Sequence, residues 1–505
     1  MKKILKFLTN KVTIIGLLTL MQLIFFVLIV RFLADKYNYF LFVNYGLSFI
    51  MVIFVLKSDE LPIYKMSWVI PILIAPIFGG LFYLTFKPIS SRRNIKGKSL
   101  KTDKIRKDSL KEFMKESPNL PPRFQKQINF LEREGWPYFA NTYLEFLPSG
   151  ESKLTKVIEV LKTAKHSILL HYFILEEVGQ VWETILPILL DKVNQGLDIR
   201  LLYDDFGTST RVKANFCSRM NALGIKTTIF NPLKLRFRVS LNYRDHRKMI
   251  IVDNNEAFTG GINIADEYAN IKKRYGHWHD AGIYLKGDAV VSMTASFIEA
   301  WNLYSDDKIA LPDYPPSIKE EHDGYVVPYH DSPFLKNYTT KNLFTHMLYS
   351  AKDEIYITTP YFIVDPEIIN TIKNQALSGV KINIIIPKIP DKKLVYLVTK
   401  YYLRELSTIE NVYIYEYTPG FIHSKIMYID DTLATIGTVN FDFRSFYLHF
   451  ENTIWFYGSN SLIDIKDFLR STIEKSKRLT YKDLDDKNIF YRILRSLLVG
   501  VSHLL

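Results

Sequence analysis

The sequence predicts an α/β protein with two pseudo-symmetric halves, each a mixed sheet flanked by helices. The halves share one active site and follow N-terminal transmembrane helices. Three long apolar runs open the chain, apolar β-rich runs alternate with helical stretches from about residue 141, and segments of the first half recur in the second. At 505 residues the chain also exceeds what one hydrophobic core usually supports, which indicates several domains.

The N-terminal region contains three runs without a charged side chain: Val12 to Val30 (19 residues), Tyr39 to Leu56 (18) and Ser67 to Phe86 (20). Each is long enough to cross a bilayer as a helix, and the first lacks the small-residue cleavage site of a removable signal peptide. Three such runs in succession favour insertion over buried core helices. We therefore predict a multi-pass cell-membrane region over residues 1–90 with two to three transmembrane helices.

A basic segment follows, predicted as a linker over residues 91–135. Lys87 to Lys111 carries ten Lys and Arg against two Asp, whereas the first eleven residues carry four cations. The positive-inside rule then predicts that the large domain lies on the cytoplasmic face. The same segment suits anionic lipid headgroups at about 1 kcal/mol per cation, and a solvated linker is a compatible alternative.

The overall charge of the chain is strongly positive and has two explanations. The net charge is +13 and the pI about 9.2, which fits nucleic acid or an acidic lipid surface, although simple solubility explains it equally well. The single cysteine, Cys217, excludes an intrachain disulfide and a cysteine-based metal cluster.

The soluble part repeats itself. Ala351 to Val364 (AKDEIYITTPYFIV) echoes Ala164 to Leu175 (AKHSILLHYFIL), and Gln375 to Pro387 echoes Asp191 to Asp205. The offsets are 351 − 164 = 187, 361 − 172 = 189 and 379 − 196 = 183, so the copies keep register apart from small insertions. An internal duplication is the simplest explanation. It predicts a first half over 136–325, a second over 326–485 and a C-terminal segment over 486–505.

Each half also contains one copy of a polar motif, in Asn242 to Asn263 and in Phe421 to Asn440. Both copies read His, any residue, Lys, four residues, Asp, and then Gly and Asn, and 423 − 246 = 177 fits the repeat. Two copies inside one duplication make chance, or two unrelated core histidines, a poor explanation. The candidate site residues are His246, Lys248, Asp253, Asn263, His423, Lys425, Asp430 and Asn440.

Two such motifs that converge would surround one tetrahedral anion. Lysine and asparagine donors stabilise phosphoryl oxygens, one neutral imidazole attacks phosphorus, and the other imidazole, protonated, donates to the leaving oxygen. Each histidine then needs an orienting carboxylate, for which we nominate Asp280, 34 residues after His246, and Glu451, 28 residues after His423. Asp253 and Asp430 stand before turns, so loop shaping suits them better than proton transfer.

A metal site is the competing chemistry. His277 and His279, next to Asp280, have ligand-like spacing, but this pattern is also common on plain surface and no acidic cluster accompanies it. We therefore predict no catalytic metal and no cofactor.

The two motifs resemble the signature of the phospholipase D superfamily, and further blocks resemble bacterial cardiolipin synthases. This resemblance implies a phospholipase D-like α/β fold and a phosphatidyl transfer between two phosphatidylglycerol molecules that yields cardiolipin at an anionic membrane, with no nucleic acid partner. It also implies His246 as nucleophile and His423 as acid. One departure is Arg444 to Glu451, RSFYLHFE, where that family tends to have Asn at the position of His449. The blocks are LNYRDHRKMIIVD, FTGGINIADEY, TPYF, GFIHSKIMYIDD, IGTVNFDFRSF and SWVIPILIAPIFGGLFYLTF.

Several alternatives stay open on the sequence alone. They are a phospholipase D that uses water, a transferase with another alcohol acceptor, a membrane-anchored nuclease and an inactive lipid-binding scaffold. The oligomeric state is open as well. At the C-terminus, helical spacing places Phe490, Leu494, Leu497, Val501 and Leu505 near one face. This face fits either an interfacial membrane helix or packing on the protein's own core.

Overall fold

The structure is a computed structural model that describes residues 38–58, 62–86, 89–116, 118–232, 243–316, 318, 320–485 and 488–504, with scattered positions between 21 and 32. The chain divides into two compact units. One comprises Met1–Asn94 with Lys234–Leu241, and the other comprises Ile95–Leu233 with Asn242–Leu505. Every candidate site residue belongs to the second unit.

The second and third apolar runs form helices. These are α1 (Asn38–Leu56), α2 (Pro62–Ile74) and α3 (Pro76–Phe86). The third run was expected to be one helix, but it is divided between α2 and α3. A Cβ atom at Gly79 would lie only 2.5 Å from the carbonyl oxygen of Pro71, so this glycine allows the two helices to pack closely. Proline also lacks the N–H that a continuous helix needs, which favours a break beside Pro76.

The predicted transmembrane helices are not observed as such. No helix within the described residues is both long enough and apolar enough to span a membrane. Most of the first run, Val12 to Val30, lies outside the described residues.

Two helices occupy much of the segment predicted as a basic linker, α4 (Ile89–Leu110) and α5 (Pro122–Arg133). Arg106 of α4 is buried, forms ion pairs with Asp103 (2.7 Å) and Glu299 (3.2 Å), and stacks on the Trp136 ring at 3.7 Å. A buried cation requires such partners. The C-terminal part of α4 is therefore integrated into the folded unit.

The first half is built on a seven-stranded sheet in the order β1-β9-β7-β6-β2-β3-β4. Apolar side chains bury both faces of its central strands β2 and β6, and the helices supply the outer layers. The strands up to β9 are β1 (Thr142–Leu147), β2 (Ser167–Tyr172), β3 (Asp198–Asp204), β4 (Lys226–Phe230), β5 (Arg244–Asp245), β6 (Lys248–Val252), β7 (Glu256–Gly260), β8 (His277–His279) and β9 (Gly282–Gly287). The helices are α6 (Gly150–Thr163), α7 (Gln180–Asn194), α8 (Asp205–Thr208), α9 (Phe216–Ala222) and α10 (Val290–Tyr304).

The second half repeats this sheet in the order β10-β19-β17-β16-β11-β13-β14, with β20 added at one edge and β5 paired to β19. Its strands are β10 (Tyr325–Asp331), β11 (Glu354–Thr358), β12 (Phe362–Ile363), β13 (Lys381–Pro387), β14 (Val412–Tyr417), β15 (Gly420–Ile422), β16 (Ile426–Ile429), β17 (Leu433–Gly437), β18 (Phe441–Asp442), β19 (His449–Tyr457) and β20 (Ser476–Leu479). Its helices are α11 (Thr339–Ser350), α12 (Pro366–Leu377), α13 (Lys393–Leu406), α14 (Phe443–Tyr447), α15 (Ser461–Glu474), α16 (Tyr481–Leu484) and α17 (Ile489–Gly500).

The duplication is visible in this topology. β2 and β3 pair in parallel as β11 and β13 do, and β2 pairs antiparallel with β6 as β11 does with β16. One hydrophobic core contains residues of both sheets, such as Leu169 and Ile251 of the first with Ile357 and Trp455 of the second. The predicted halves are therefore two sheets around a shared core, which fixes their relative position.

The C-terminal helix α17 packs through Leu498 and Val499 on a small cluster that includes Val398. The apolar face predicted from the helical spacing is not the face that packs on this cluster. Phe490 and Leu497 are each 68% exposed and Leu494 is half-buried, while Leu505 lies outside the described residues. Helix α17 thus packs on the protein through one face and leaves another apolar face at the surface.

Candidate active site

Two very short strands bring the halves together at the motifs. In β5, Arg244 and Asp245 pair in parallel with His449 and Phe450 of β19. In β15, residues 420–422 pair in parallel with β8, residues 277–279. The residue that follows β5 is His246, and the residue that follows β15 is His423. The residues that follow the paired positions of β19 and β8 are the carboxylates Glu451 and Asp280. The register therefore aligns His246 with Glu451 and His423 with Asp280.

Each histidine is held by a carboxylate from the other half. The Nδ1 atom of His246 lies 2.9 Å and 3.1 Å from the two carboxylate oxygens of Glu451, and that of His423 lies 2.6 Å from Oδ2 of Asp280. A carboxylate can only accept, so Nδ1–H donates and the lone pair of the neutral ring is left on Nε2. The two nominated carboxylates thus lie where an orienting role requires them, and the pairs cross between the halves.

The motif lysines are buried beside the histidines. Lys248 Nζ donates to the backbone carbonyl of His246 at 2.6 Å, and Lys425 Nζ donates to that of His423. The two Asn side chains are buried as well. Asn263 Oδ1 accepts the backbone N–H of Ile174 at 3.0 Å, and the Asn263 side chain also hydrogen-bonds that of Tyr268, so its NH₂ group keeps one N–H for a further acceptor. Among the described residues, Oδ1 of Asn440 has no hydrogen-bond partner.

One cavity of about 560 Å³ contains both histidines and both asparagines. Its wall combines aromatic side chains with three cationic groups, Arg244, Lys392 and Arg444, and two carboxylates, Asp391 and Asp442. The cationic groups outnumber the carboxylates, which suits an anionic substrate with apolar parts. The other lining residues include Phe173, Ile174, Phe206, Arg244, Tyr268, Trp278, Tyr361, Ile363, Lys392, Val395, Phe443, Arg444, His449 and Ser502.

Burial dominates the electrostatics of this cavity. It lowers the pKa of both histidines, although their carboxylate partners oppose this change. Burial also lowers the pKa of Lys425 to about 8, and burial together with the nearby charge of Lys425 lowers that of Lys248 to about 7. A bound phosphodiester would stabilise both ammonium groups in their charged form, so anion binding and protonation of the lysines would favour each other.

The carboxylates behave in the opposite way. Burial alone would raise the pKa of Glu451 and Asp280, but the adjacent histidines outweigh it, and both pKa values lie below their usual range. Thr438 also donates its hydroxyl hydrogen to Glu451 at 2.5 Å. Both carboxylates are therefore ionised acceptors at neutral pH.

Asp253 and Asp430 have another place in the structure. Each accepts three backbone N–H groups at the start of a central strand: those of residues 165–167 for Asp253 and 352–354 for Asp430, at 2.8–3.0 Å. Both have φ near +50°, a turn conformation that Asp tolerates better than most residues. Neither is among the residues that line the cavity. Loop shaping, as expected from their position before turns, fits these contacts.

The metal alternative does not assemble around His277 and His279. Nδ1 of His277 lies 3.0 Å from the hydroxyl of Tyr417, Nε2 of His279 lies 2.7 Å from Oγ1 of Thr472, and Asp280 faces His423. Their side chains thus serve packing and hydrogen bonding between strands and helices.

Some lining residues were not among the candidates. His449 was noted only as a departure from a family pattern, yet its ring centroid lies 5.6 Å from that of His246. Phe173 contacts the His246 ring edge to face at 5.0 Å, and Tyr361 lines the cavity from the other half. The repeated YFI segment carries both Phe173 and Tyr361, so the internal repeat contained a signal for them.

The comparisons with known proteins agree with this geometry. The family described as "Cardiolipin synthase, PLD-like domain" matches residues 157–290 and 344–471, and "Phospholipase_D-nuclease N-terminal" matches residues 46–88. A cardiolipin synthase from Geobacillus kaustophilus is 33% identical over 90% of this chain and 92% of its own length. An uncharacterized protein from Streptococcus mutans is 34% identical over 90% of this chain and 99% of its own length.

A solved structure, phosphatidylserine synthase from Haemophilus influenzae, superposes with a TM-score of 0.58 at 15% identity, and covers 75% of this chain and 98% of that one. At this identity the similarity concerns the fold, which is shared. This chain belongs to the cardiolipin synthase family with phospholipase D-like domains, as the matched family domains, the two motif copies, the shared fold and the relatives of nearly full length together indicate.

Proposed function

We propose that this chain is a phosphatidyltransferase that makes cardiolipin from two phosphatidylglycerol molecules and releases glycerol. The observation that carries the proposal is the pair of crossed histidine–carboxylate contacts on one cavity. Two imidazoles, each held at Nδ1 by a carboxylate and flanked by buried lysines, suit a two-step transfer through a covalent phosphohistidine, in which one ring starts neutral and the other protonated. Cardiolipin synthase is also the name of several relatives that match about 90% of this chain.

In the first step, Nε2 of His246 attacks the phosphorus of one phosphatidylglycerol. The bond from phosphorus to the glycerol oxygen breaks, and His423 transfers a proton from Nε2 to that oxygen. The negative charges of Asp280 and the bound phosphodiester favour this protonated form of His423 against the effect of burial. Glu451 stabilises the positive charge that develops on His246. Asn263, which lines the cavity, can donate an N–H to a phosphoryl oxygen, and the ammonium groups of Lys248 and Lys425, buried beside the histidines, add positive charge near the phosphate.

In the second step, a free glycerol hydroxyl of another phosphatidylglycerol attacks the phosphohistidine. His423 is now neutral and accepts the hydroxyl proton, the P–N bond breaks, and His246 leaves as a neutral ring. Asp280 holds His423 in the same orientation throughout, so one side chain acts as acid and then as base. The reaction closes with cardiolipin as product and both histidines in their starting state.

The surface beside the cavity favours a lipid substrate over nucleic acid. Val395 and Ser502 line the cavity, and each lies in or next to the packed helices α13 and α17. The outer face of α17 exposes Phe490 and Leu497, and Leu394 at the start of α13 is 50% exposed. We propose that this apolar rim contacts the bilayer, so that lipid enters the cavity from the membrane surface.

The rim can be tested on the full chain by the rate of cardiolipin formation on vesicles of phosphatidylglycerol. Replacing Phe490 and Leu497 by Asp should raise the apparent KM for the lipid in the vesicles. Replacing Ile463, a 66% exposed residue outside this rim, by Asp is the control. Equal effects of the two changes would contradict the assignment. The predicted membrane spans and the cytoplasmic placement of the domain stay predictions.

The activity can be tested in a host that lacks cardiolipin. The wild-type chain should restore cardiolipin in the lipid profile, whereas His423→Ala and His246→Ala should not. Phosphatidic acid without cardiolipin from labelled phosphatidylglycerol would instead identify a hydrolase that uses water. Full retention of product in His246→Ala would overturn any mechanism that uses this site, whereas no product from the wild-type chain would favour a lipid-binding scaffold.

A further inference from the structure

We propose that His246, His449 and Glu451 form a binding site for a transition-metal dication such as Zn²⁺, and that the bound ion stops the phosphatidyl transfer. Only the second part, the inhibition, rests on the proposed function. The site would make the enzyme sensitive to the level of free zinc-like ions through its own nucleophile.

The geometry of the three side chains carries the proposal. One nitrogen of each histidine and one oxygen of Glu451 all lie within 4.8 Å of one another. Nδ1 of His246 is 2.9 Å from Oε2 of Glu451, and Nδ1 of His449 is 3.5 Å from Oε1. Ligand atoms around a tetrahedral ion with bonds of about 2.0–2.1 Å are separated by roughly 3.4 Å. A small adjustment of these side chains would therefore complete three corners of a tetrahedron.

The ligand types select the class of ion. Two imidazoles and one carboxylate are a ligand set that proteins use for zinc with an open fourth position, whereas Mg²⁺ and Ca²⁺ prefer oxygen ligands. His246 and His449 both line the cavity, so an ion can reach them from there and keep a water as its fourth ligand. The Nδ1 atom of His449 is buried and has no hydrogen-bond partner of good geometry within the described part of the chain.

The duplicated site supplies an internal comparison. Two residues before Glu451 stands His449, but two residues before Asp280 stands Trp278, whose ring lies 5.2 Å from that of His423. Indole offers no metal ligand. The proposed site therefore belongs to the His246 pair alone, which is the pair assigned to the nucleophile.

Metal binding at this position would inactivate the nucleophile, His246, by changing its tautomer. A bond from the ion to Nδ1 of His246 requires that its hydrogen move to Nε2, the atom that faces the substrate. The ring stays neutral, and the proton is conserved, but no lone pair remains on Nε2 for attack on phosphorus. The carboxylate of Glu451 changes from a hydrogen-bond acceptor to a metal ligand in the same step.

Binding can be tested without any activity, with Co²⁺ as a spectroscopic probe for Zn²⁺. The full chain in detergent should develop the intense visible d–d bands of a four-coordinate Co²⁺ site at one ion per chain, and Zn²⁺ should abolish them. His449→Asn should lose the bands or weaken Co²⁺ binding at least tenfold. His166→Asn, a change of an exposed histidine, should bind like the wild type. The absence of such bands in the wild type, or their full retention in His449→Asn, would overturn the site.

Inhibition is then measured as cardiolipin formation at free Zn²⁺ levels set by a chelator, with each rate divided by the same variant's rate in excess chelator. We expect half-inhibition of the wild type at a free Zn²⁺ level at least tenfold lower than for His449→Asn, with full recovery after chelation. Co²⁺ binding without inhibition would overturn the inhibitory role. If no variant makes cardiolipin, the proposed function fails, and the Co²⁺ spectrum still decides the metal site.

Discussion

Replacing Glu451 by Gln should slow the attack of His246 on phosphorus by about 10–10⁴-fold, because it removes the charge that holds the reactive tautomer. Gln has nearly the same size as Glu, so the buried position can accept it without a cavity. In the structure Glu451 accepts Nδ1–H of His246 at 2.9 Å and the hydroxyl of Thr438 at 2.5 Å. Both contacts are made by the same oxygen, Oε2, and Oε1 lies 3.1 Å from the same Nδ1 atom, so the NH₂ group of the carboxamide lies near His246 Nδ1 in either orientation.

The magnitude follows from these contacts. A hydrogen bond to a charged group contributes roughly 1.5–3 kcal/mol, which corresponds to about 10–150-fold in rate at ~1.4 kcal/mol per factor of ten. If the NH₂ group faces His246, it donates to Nδ1 and stabilises the wrong tautomer. In serine proteases, the comparable carboxamide replacement costs about 10⁴-fold for this reason.

The assay follows the covalent intermediate directly. Labelled phosphatidylglycerol is mixed rapidly with the full chain, and the protein-bound label is counted after an alkaline quench, which preserves phosphohistidine. A second substrate carries p-nitrophenol as the leaving group, which needs no proton to depart. Glu451→Gln should be slow with both substrates. The matched variant Asp280→Asn, which affects the acid His423, should be slow with phosphatidylglycerol and much faster with the p-nitrophenyl substrate.

Two results would refute this reasoning. A change of less than about threefold in Glu451→Gln would mean that the observed pair has no part in the chemistry. Rescue of Glu451→Gln, but not of Asp280→Asn, by the p-nitrophenyl substrate would reverse the roles of the two histidines. Thermal melting of both variants near the wild-type temperature is the control for folding.

Three further predictions follow from single contacts. Gly261→Ala should reproduce the loss of Asp280→Asn in the protein that stays folded, because the added Cβ would lie 2.1 Å from Oδ1 of Asp280 and displace it from His423; normal transfer rates would contradict this. Asp430→Asn should lower the free energy of unfolding by about 2–3 kcal/mol, because it weakens three backbone hydrogen bonds and an ion pair with Arg123. Chemical denaturation measures this loss, and the folded protein should keep its rate of phosphatidyl transfer. The ratio kcat/KM should fall as the pH rises from about 7 to about 8, where the buried side chains of Lys248 and Lys425 lose protons that bind phosphate, and the fall near pH 8 should be absent in Lys425→Gln; a profile of the wild type that stays level well above this range would contradict the assignment.

Much of this molecule was predictable from local sequence signals. The echo of residues 164–175 in residues 351–364 predicted the duplication, and the two sheets have the same strand order. The repeated His-Lys-Asp spacing predicted the site, because a repeated motif in a duplicated chain converges when the halves pack face to face. Even the loop role of Asp253 followed from its place between a strand and a turn.

The sequence by itself thus determined the α/β class, the repeat, the motif residues and the two carboxylates. Only the tertiary structure decided that Glu451 serves His246 and Asp280 serves His423, that His449 joins one pair, and that the third apolar run folds into two helices. The physical reason is that strands of two or three residues, such as β5 and β15, carry no periodic pattern of their own. Their partners β19 and β8 lie more than 140 residues away, and only the packing of both halves around one core sets that register.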